Sequence, residues 1–251
     1  MSKLIVSAHQ PNFLPYLGFF DKMKKSDIFV IRDEVLFIKK EYHNRNRIRI
    51  NSYDNLKNPQ SKWISVPVED PQDYFMHVLI KNNLMQKDKL WNRSLLHEIK
   101  AGYHKAQYFK TFFPEIEKIF NNSDEKLLSL NMKIINFLKN IFQIKTPIIL
   151  ASELSLKPKN CEKSDASEDI AQICEKLKAG IYLSGSGGKT YLSLEPFEKR
   201  NIEVQFQDYK HPVYEQHLPG FIPYMAAIDA LFCTGRMPEL EEEPLTIQIR
   251  N

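Results

Sequence analysis

Leu4-Ile5-Val6-Ser7-Ala8 is a short, nearly continuous apolar run, followed by a proline-bearing turn, a helix-patterned stretch from Tyr16 to Lys25 and a break at Ser26-Asp27. A second apolar run, Ile28-Phe29-Val30-Ile31, comes next and ends in the polar Arg32-Asp33-Glu34. Strands without polar alternation are covered on both faces, which is the situation inside a parallel sheet. Two of them enclosing one helix within about thirty residues form a βαβ unit. Parallel strands need crossover connections, so this opening commits the chain to an α/β fold.

The remainder fits that commitment. Lys62 to Val68 alternates and is β-rich, with Pro67 placing it at a sheet edge or a strand end. From about Lys87 to Ile144 the apolar spacing is helical and predicts three or four helices. Thr146 to Ser152 returns to strand, and Asp165 to Lys178 reads as an amphipathic helix closed by Gly180. Ile181-Tyr182-Leu183 is another buried strand, followed by a short helix near Leu194 to Arg200, the strand Ile202 to Gln207 and a last helix from Tyr224 to Phe232. The expectation is one domain over residues 1–251: a Rossmann-like, mostly parallel sheet with helices on both faces and a helical insertion at about 85–145.

Composition narrows the class. A chain of 251 residues lies near the upper limit of one core, and 43% hydrophobic with 26% charged content argues against disorder or a fibre. Cys161, Cys174 and Cys233 have no Cys-x-x-Cys spacing and leave one over, so neither a disulfide framework nor a zinc site is indicated and a reducing cytoplasm fits best. The first apolar run is too short for a signal peptide, and no run approaches the roughly 18 residues of a membrane span. The net charge of +4 is mild and partly concentrated in Lys39 to Arg49, which points to a local anionic ligand and away from long nucleic acid.

Ligands of open parallel sheets bind outside the carboxyl ends of the strands, and four polar clusters have that address. His9-Gln10-Pro11-Asn12 follows the first strand; an unperturbed imidazole titrates near neutrality, which makes His9 a candidate general acid or base or a donor to a phosphate or carboxylate, or else a histidine satisfied by backbone. After the second strand come Asp33 and the run Asn44-Arg45-Asn46-Arg47-Ile48-Arg49, which, if extended, puts the three arginines on one face and the asparagines on the other. That face suits phosphate or carboxylate; a charged edge strand that blocks aggregation is the alternative. Asp33 and Glu34 are adjacent and point to opposite faces, which argues against joint metal binding. Ser184-Gly185-Ser186-Gly187-Gly188-Lys189-Thr190 fails the phosphate-loop spacing, because Leu183 stands where the first glycine belongs, yet it offers backbone that a ligand can approach closely and Lys189 as a cation. His211-Pro212-Val213-Tyr214 adds a second histidine and a phenol for proton transfer or stacking. Asp229 lies in an apolar helix and needs a partner to be buried there.

Together, His9 to Gly18, Asp27-Ile28-Phe29-Val30 with Asp33, Asn44 to Ile48, Tyr182 to Gly185 with Gly187-Gly188-Lys189, and His211 to Tyr214 resemble the WbqC-like family over nearly the whole chain. The resemblance implies a transferase of bacterial surface-glycan (O-antigen type) assembly, with glycine transfer as one form. It also carries His9, Gln10, Arg45, Asn46, Arg47, Ser184, Gly185, Gly187, Gly188, His211 and Tyr214 into the site. Glu34 departs from an expected second Asp, and Met225-Ala226-Ala227 departs from a Ser-containing helix start.

The leading expectation is transfer of a small acyl or aminoacyl group onto an amino sugar or nucleotide-sugar. In it His9 or His211 is the base, the arginines grip an anionic substrate such as a nucleotide-sugar or acyl donor, and the glycine turn admits the donor. No cofactor is identified. An ATP-dependent activating or nucleotidyl-transferring enzyme is the second expectation, resting on fold analogy alone. A non-catalytic binding protein using exposed aromatics between Tyr103 and Phe113 is the third. The first expects His9, Arg45, Lys189 and His211 to meet in one cleft.

Overall fold

In the computed structural model, which describes residues 3–50, 59–69, 75–78, 90–156 and 166–239, the chain is a Rossmann-like α/β protein. The first strand, β1 (Ile5–His9), leads through α1 (Leu17–Lys24) to β2 (Ile28–Ile31). A hairpin of β3 (Arg45–Arg49) and β4 (Ser61–Ser65) follows, then α2 (Leu90–Tyr103), α3 (Phe109–Asn121) and α4 (Leu127–Ile141). The chain returns to the sheet with β5 (Ile148–Leu150), α5 (Ala166–Lys176), β6 (Ile181–Ser184), α6 (Glu195–Glu198) and β7 (Glu203–Phe206), and ends in α7 (Ile228–Thr234).

The main sheet has the order β5-β2-β1-β6-β7 and is parallel throughout. β1 is central, with Val6 opposite both Ile28 and Tyr182. Alternation along the strands feeds two cores. Val6, Ala8 and Val30 pack with Ile170, Ala171, Tyr182 and Phe197 on the α5/α6 face. Phe29 and Ile31 pack with Phe19, Phe20 and Met23 of α1, and that core continues through α2, α3, α4 and α7. Both faces are therefore apolar-covered, which is why β1 and β2 lack a polar side.

Several expected boundaries move. The β-rich run at Lys62 is not a strand of the main sheet: β4 pairs antiparallel with β3 in a separate two-stranded sheet and stops before Pro67, which cannot donate to a ladder. The last helix begins at Ile228 instead of Tyr224, because Tyr224 has φ +59° and Ala226 bridges to Tyr16. Lys178, at φ +57°, makes the left-handed exit from α5 in place of Gly180. Gly180 is needed for another reason: a Cβ there would lie 2.8 Å from Cβ of Lys3. The expected helix starts at Lys87 and Asp165, and Cys161, fall outside the described residues. Cys174 and Cys233 are free and buried, and no described helix is long and apolar enough to cross a membrane.

The helical insertion is tied to the first loop. Asn131 of α4, fully buried, donates from Nδ2 to the carbonyls of Pro11 at 2.7 Å and His43 at 2.8 Å. From the hairpin, Asn46 donates to the carbonyls of Leu14 at 2.6 Å and Phe13 at 3.3 Å. These bonds hold Leu14 at φ +44°, a conformation that a branched residue adopts only when its surroundings impose it.

Candidate active site

Parallel strands β1, β2 and β6 end at the same edge, and the strand order reverses between β1 and β6. A cavity of about 560 Å³ opens there, at the switch point where such sheets bind ligands. His9 and Gln10 line it from the end of β1, Lys22 from α1, Arg32 and Glu34 from the end of β2, Asp169 from α5, and Ser184 to Gly188 from the end of β6.

His9 donates from Nδ1 to the Gln10 carbonyl at 3.0 Å; a carbonyl only accepts, so Nε2 carries no proton. Phe19 packs edge-on at 4.9 Å. Burial, reinforced by the nearby Lys22 ammonium, pushes the His9 pKa down to about 3, so the imidazole is neutral at physiological pH. Lys22 is 4% exposed, donates to the Ala8 carbonyl at 3.0 Å and lies 5.8 Å from the centre of the Phe29 ring. Burial pushes its pKa down to about 7. Arg32, also buried, is held by Glu34 at 2.7 Å and Asp169 at 3.1 Å, so its charge is already balanced. Lys22 has no carboxylate at ion-pair distance among the described residues, which leaves it as the cavity cation able to receive an anion.

The turn after β6 is a 3-10 helix over Ser186–Thr190. A Cβ on Gly188 would stand 2.1 Å from Oγ of Ser184, so this position is closed to a side chain. A Cβ on Gly185 would be 3.9 Å from the Lys22 ammonium, which therefore sits just beneath the turn. Tyr16 forms part of the wall because Gly18 admits its ring: a Cβ there would be 2.4 Å from Cε2 of Tyr16.

The cavity thus brings together His9, Gln10, Ser184, Gly185, Gly187 and Gly188 and not the rest of the expected set. The anticipated meeting of His9, Arg45, Lys189 and His211 does not occur. Arg45 and Arg47 belong to the separate hairpin, where they lie over Trp63 with guanidinium carbons 4.3 and 5.8 Å from its ring centre. Arg45 also donates to the Lys40 carbonyl. Arg49, at the end of the same strand, is fully buried, donating to the carbonyls of Pro219 at 2.9 Å and Leu218 at 3.3 Å. Asn44 bonds the Val66 carbonyl at 2.7 Å, Asn46 clamps the first loop, and Asn12 is buried outside the cavity lining. Asp33 accepts from the backbone N–H and hydroxyl of Ser152 at 3.0 and 2.6 Å, joining the ends of β2 and β5.

Lys189 lies 5.8 Å from the centre of the Phe206 ring, carried away from the cavity by the 3-10 turn. Tyr214 donates to Asp229 at 2.7 Å, and Gln216 donates to the same oxygen at 2.8 Å. Burial raises the Asp229 pKa, although these bonds and Arg49 oppose it. His211 sits among aromatic rings beyond Tyr16. Of the aromatics between Tyr103 and Phe113, Tyr103, Phe109 and Phe113 are buried, with Phe109 packed on Phe232 of α7 at 5.1 Å, while Tyr108 and Phe112 are half-buried.

Lys22, Arg32, Asp169 and His43 were not singled out in the sequence. A cue existed for Lys22: Leu17 to Met23 is apolar except for Asp21 and Lys22, so the helix has no wide polar face to carry them. No group of three or more His, Cys, Asp or Glu among the described residues could hold a metal ion.

A family model described as the WbqC-like protein family matches residues 10–239. The chain is 26% identical over 232 residues to the uncharacterized protein Rv1507c of Mycobacterium tuberculosis, covering 92% of this chain and 94% of that one. No solved structure matches it.

Proposed function

The chain belongs to the WbqC-like protein family, and from the chemistry of its cavity we propose that it is a cytoplasmic transferase of bacterial surface-glycan assembly. It moves a small acyl or aminoacyl group, glycine being the smallest aminoacyl candidate, onto the amine of an amino sugar or nucleotide-sugar. The observation that supports this reading is the pairing of a neutral His9, unprotonated at Nε2, with Lys22 in one cavity.

An amine attacking an acyl carbonyl must lose a proton. His9, held down to about 3, is too weak a base to take it, so its Nε2 accepts a hydrogen bond from the amine and aims it at the carbonyl, while the neutral form of Lys22, poised at about 7, takes the proton. The Lys22 ammonium so formed stabilises the oxyanion on the carbonyl. Collapse expels the leaving group, which recovers the proton from Lys22. The glycines of the turn let the donor approach the backbone closely. Purified protein incubated with amino-sugar nucleotides and a panel of small acyl and aminoacyl donors is expected to add the donor's mass to the sugar, with the gain reduced in His9→Gln and abolished in Lys22→Met. No mass gain with any donor would overturn the reading.

The position of the cavity at the switch point favours a second reading, an ATP-dependent activating or nucleotidyl-transferring enzyme. It requires nucleotide binding beside Ser184 to Gly188. Calorimetry showing no heat with ATP, with or without magnesium, removes it.

A further inference from the structure

The basic run Lys39 to Arg47 supplies no cation to the cavity lining, yet it frames a surface beside it. Phe37 is buried between Leu36 and Ile38, which are 55% and 49% exposed, so alternation turns both aliphatic side chains outward. Tyr42 and Trp63 are exposed as well, and their rings meet at 5.5 Å. These four are half of the large hydrophobic side chains exposed among the described residues, and they are joined. The Ile38 carbonyl accepts the Glu41 amide at 3.4 Å, the Lys40 carbonyl accepts the Arg45 guanidinium, and Arg45 covers Trp63. Leu36 and Ile38, exposed yet lining the cavity, mark its mouth, and the exposed Tyr191 lines it from the β6 side. Cations surround the patch: Lys39 and Lys40 are exposed, Arg45 and Arg47 half-buried. None of the four has a carboxylate at ion-pair distance among the described residues, and Glu41 is the one acid between Leu36 and Arg47.

Single exposed apolar residues are ordinary, but a joined apolar patch bordered by cations is a contact surface, and its chemistry selects the partner. A single-stranded nucleic acid needs open ring faces on which bases stack. Here Arg45 already covers the Trp63 ring at 4.3 Å, and Leu36 and Ile38 are aliphatic. An anionic bilayer matches every part: the lysines and arginines meet lipid phosphates, the aliphatic pair enters the acyl boundary, and Trp and Tyr rest at the headgroup level. We propose that this patch is a membrane-docking surface, which seats the protein reversibly on an anionic bilayer with the mouth of the cavity at the headgroups. The surface stands independently of the transfer chemistry, because vesicle binding and product formation are read separately.

Co-sedimentation of the full chain with vesicles tests this, using equal parts phosphatidylglycerol and phosphatidylcholine and, separately, phosphatidylcholine alone. The wild type is expected to pellet with the mixed vesicles and several-fold less with phosphatidylcholine. Each lysine at an anionic surface is worth roughly fivefold in affinity, so Lys39→Glu with Lys40→Glu should weaken binding about tenfold or more. Leu36→Ser with Ile38→Ser should weaken it several-fold; thermal melting verifies that both double variants are folded. Brominated acyl chains in the mixed vesicles should quench wild-type fluorescence, and the quenching should disappear in Trp63→Phe, which leaves Trp91 as the one tryptophan. No pelleting of the wild type, equal pelleting of the folded variants, or quenching that persists in Trp63→Phe would each overturn the surface. So would retention by polyuridylate in place of vesicles, or a dimer in solution that Leu36→Ser with Ile38→Ser dissociates, since either assigns the patch another occupant.

Discussion

His43 donates its Nε2–H to Oε1 of Gln10 across 2.8 Å, while its Nδ1 accepts the backbone N–H of Ile38 at 3.1 Å. One ring thereby fixes its own tautomer and the orientation of a cavity amide, leaving the NH2 of Gln10 as the group it can offer a ligand. Phe37 and Phe75 hold the ring from the sides at 5.3 and 5.1 Å. His43→Phe keeps this packing but strands the Gln10 oxygen and the Ile38 amide. The expected loss is about 1–3 kcal/mol by chemical denaturation; an unchanged midpoint would show that the bonds carry no weight.

Acid should unfold the protein through the same neighbourhood. Burial holds His43 down to about 4 and His9 down to about 3, both below the 6.5 of an unfolded chain. The unfolded state therefore takes up protons first, and the stability these imidazoles contribute is complete above pH 6.5 and lost as pH falls through 4 and 3. Denaturation midpoints measured from pH 7 to pH 4 should decline in the wild type and decline less in His9→Gln and His43→Gln. Parallel curves for all three proteins would contradict the assignment.

Lys22 gives the opposite trade between stability and binding. Its charge is buried at a cost, so Lys22→Met should melt at the same temperature or higher. The same change should remove binding of inorganic pyrophosphate by calorimetry. Because the folded pKa, about 7, lies below the unfolded 10.5, Lys22 makes the wild type gain stability as pH rises from 7 towards 10.5. That rise is expected to vanish in the variant, and its persistence would place the titration elsewhere.

At the other wall, Gly188→Ala drives a methyl into Oγ of Ser184 and should cost about 1–3 kcal/mol. In a Ser184→Ala background the next contacts are Cβ of residue 184 at 3.2 Å and Leu192 at 3.4 Å, so the penalty should be less than half. A double-mutant cycle measures the difference. Additive effects would mean that the turn is held open by something other than this contact.

Arg45 separates charge from binding. Its guanidinium covers Trp63, so Arg45→Ala should red-shift tryptophan fluorescence and leave pyrophosphate binding unaltered. Lost pyrophosphate affinity would return the hairpin to the site.

The βαβ opening, the late strands and the three insertion helices were legible because each depends on local periodicity. His9, Gln10 and the Ser184 to Gly188 turn were legible for a related reason: a strand end in a parallel sheet has one address. Arg45 and Arg47 misled because alternation sets a face but not the sheet that owns it, and β3 pairs with β4 alone. Lys189 misled because a 3-10 turn carries it around to Phe206. Arg32 and Asp169 escaped notice because their partnership joins distant segments with no local mark, and Lys22 because a lysine in a short helix reads as solvated until the burial of its whole turn is known.

The central place of β1 also bears on how the site comes into being. Val6 can reach Ile28 across one short crossover, but its other neighbour, Tyr182, lies beyond the hairpin and the whole insertion. The entropy of closing so long a segment has to be met before that pairing returns any energy. During synthesis His9 and Lys22 therefore emerge early and wait without a cavity, and no partial chain carries the complete wall until the Ser184 turn arrives.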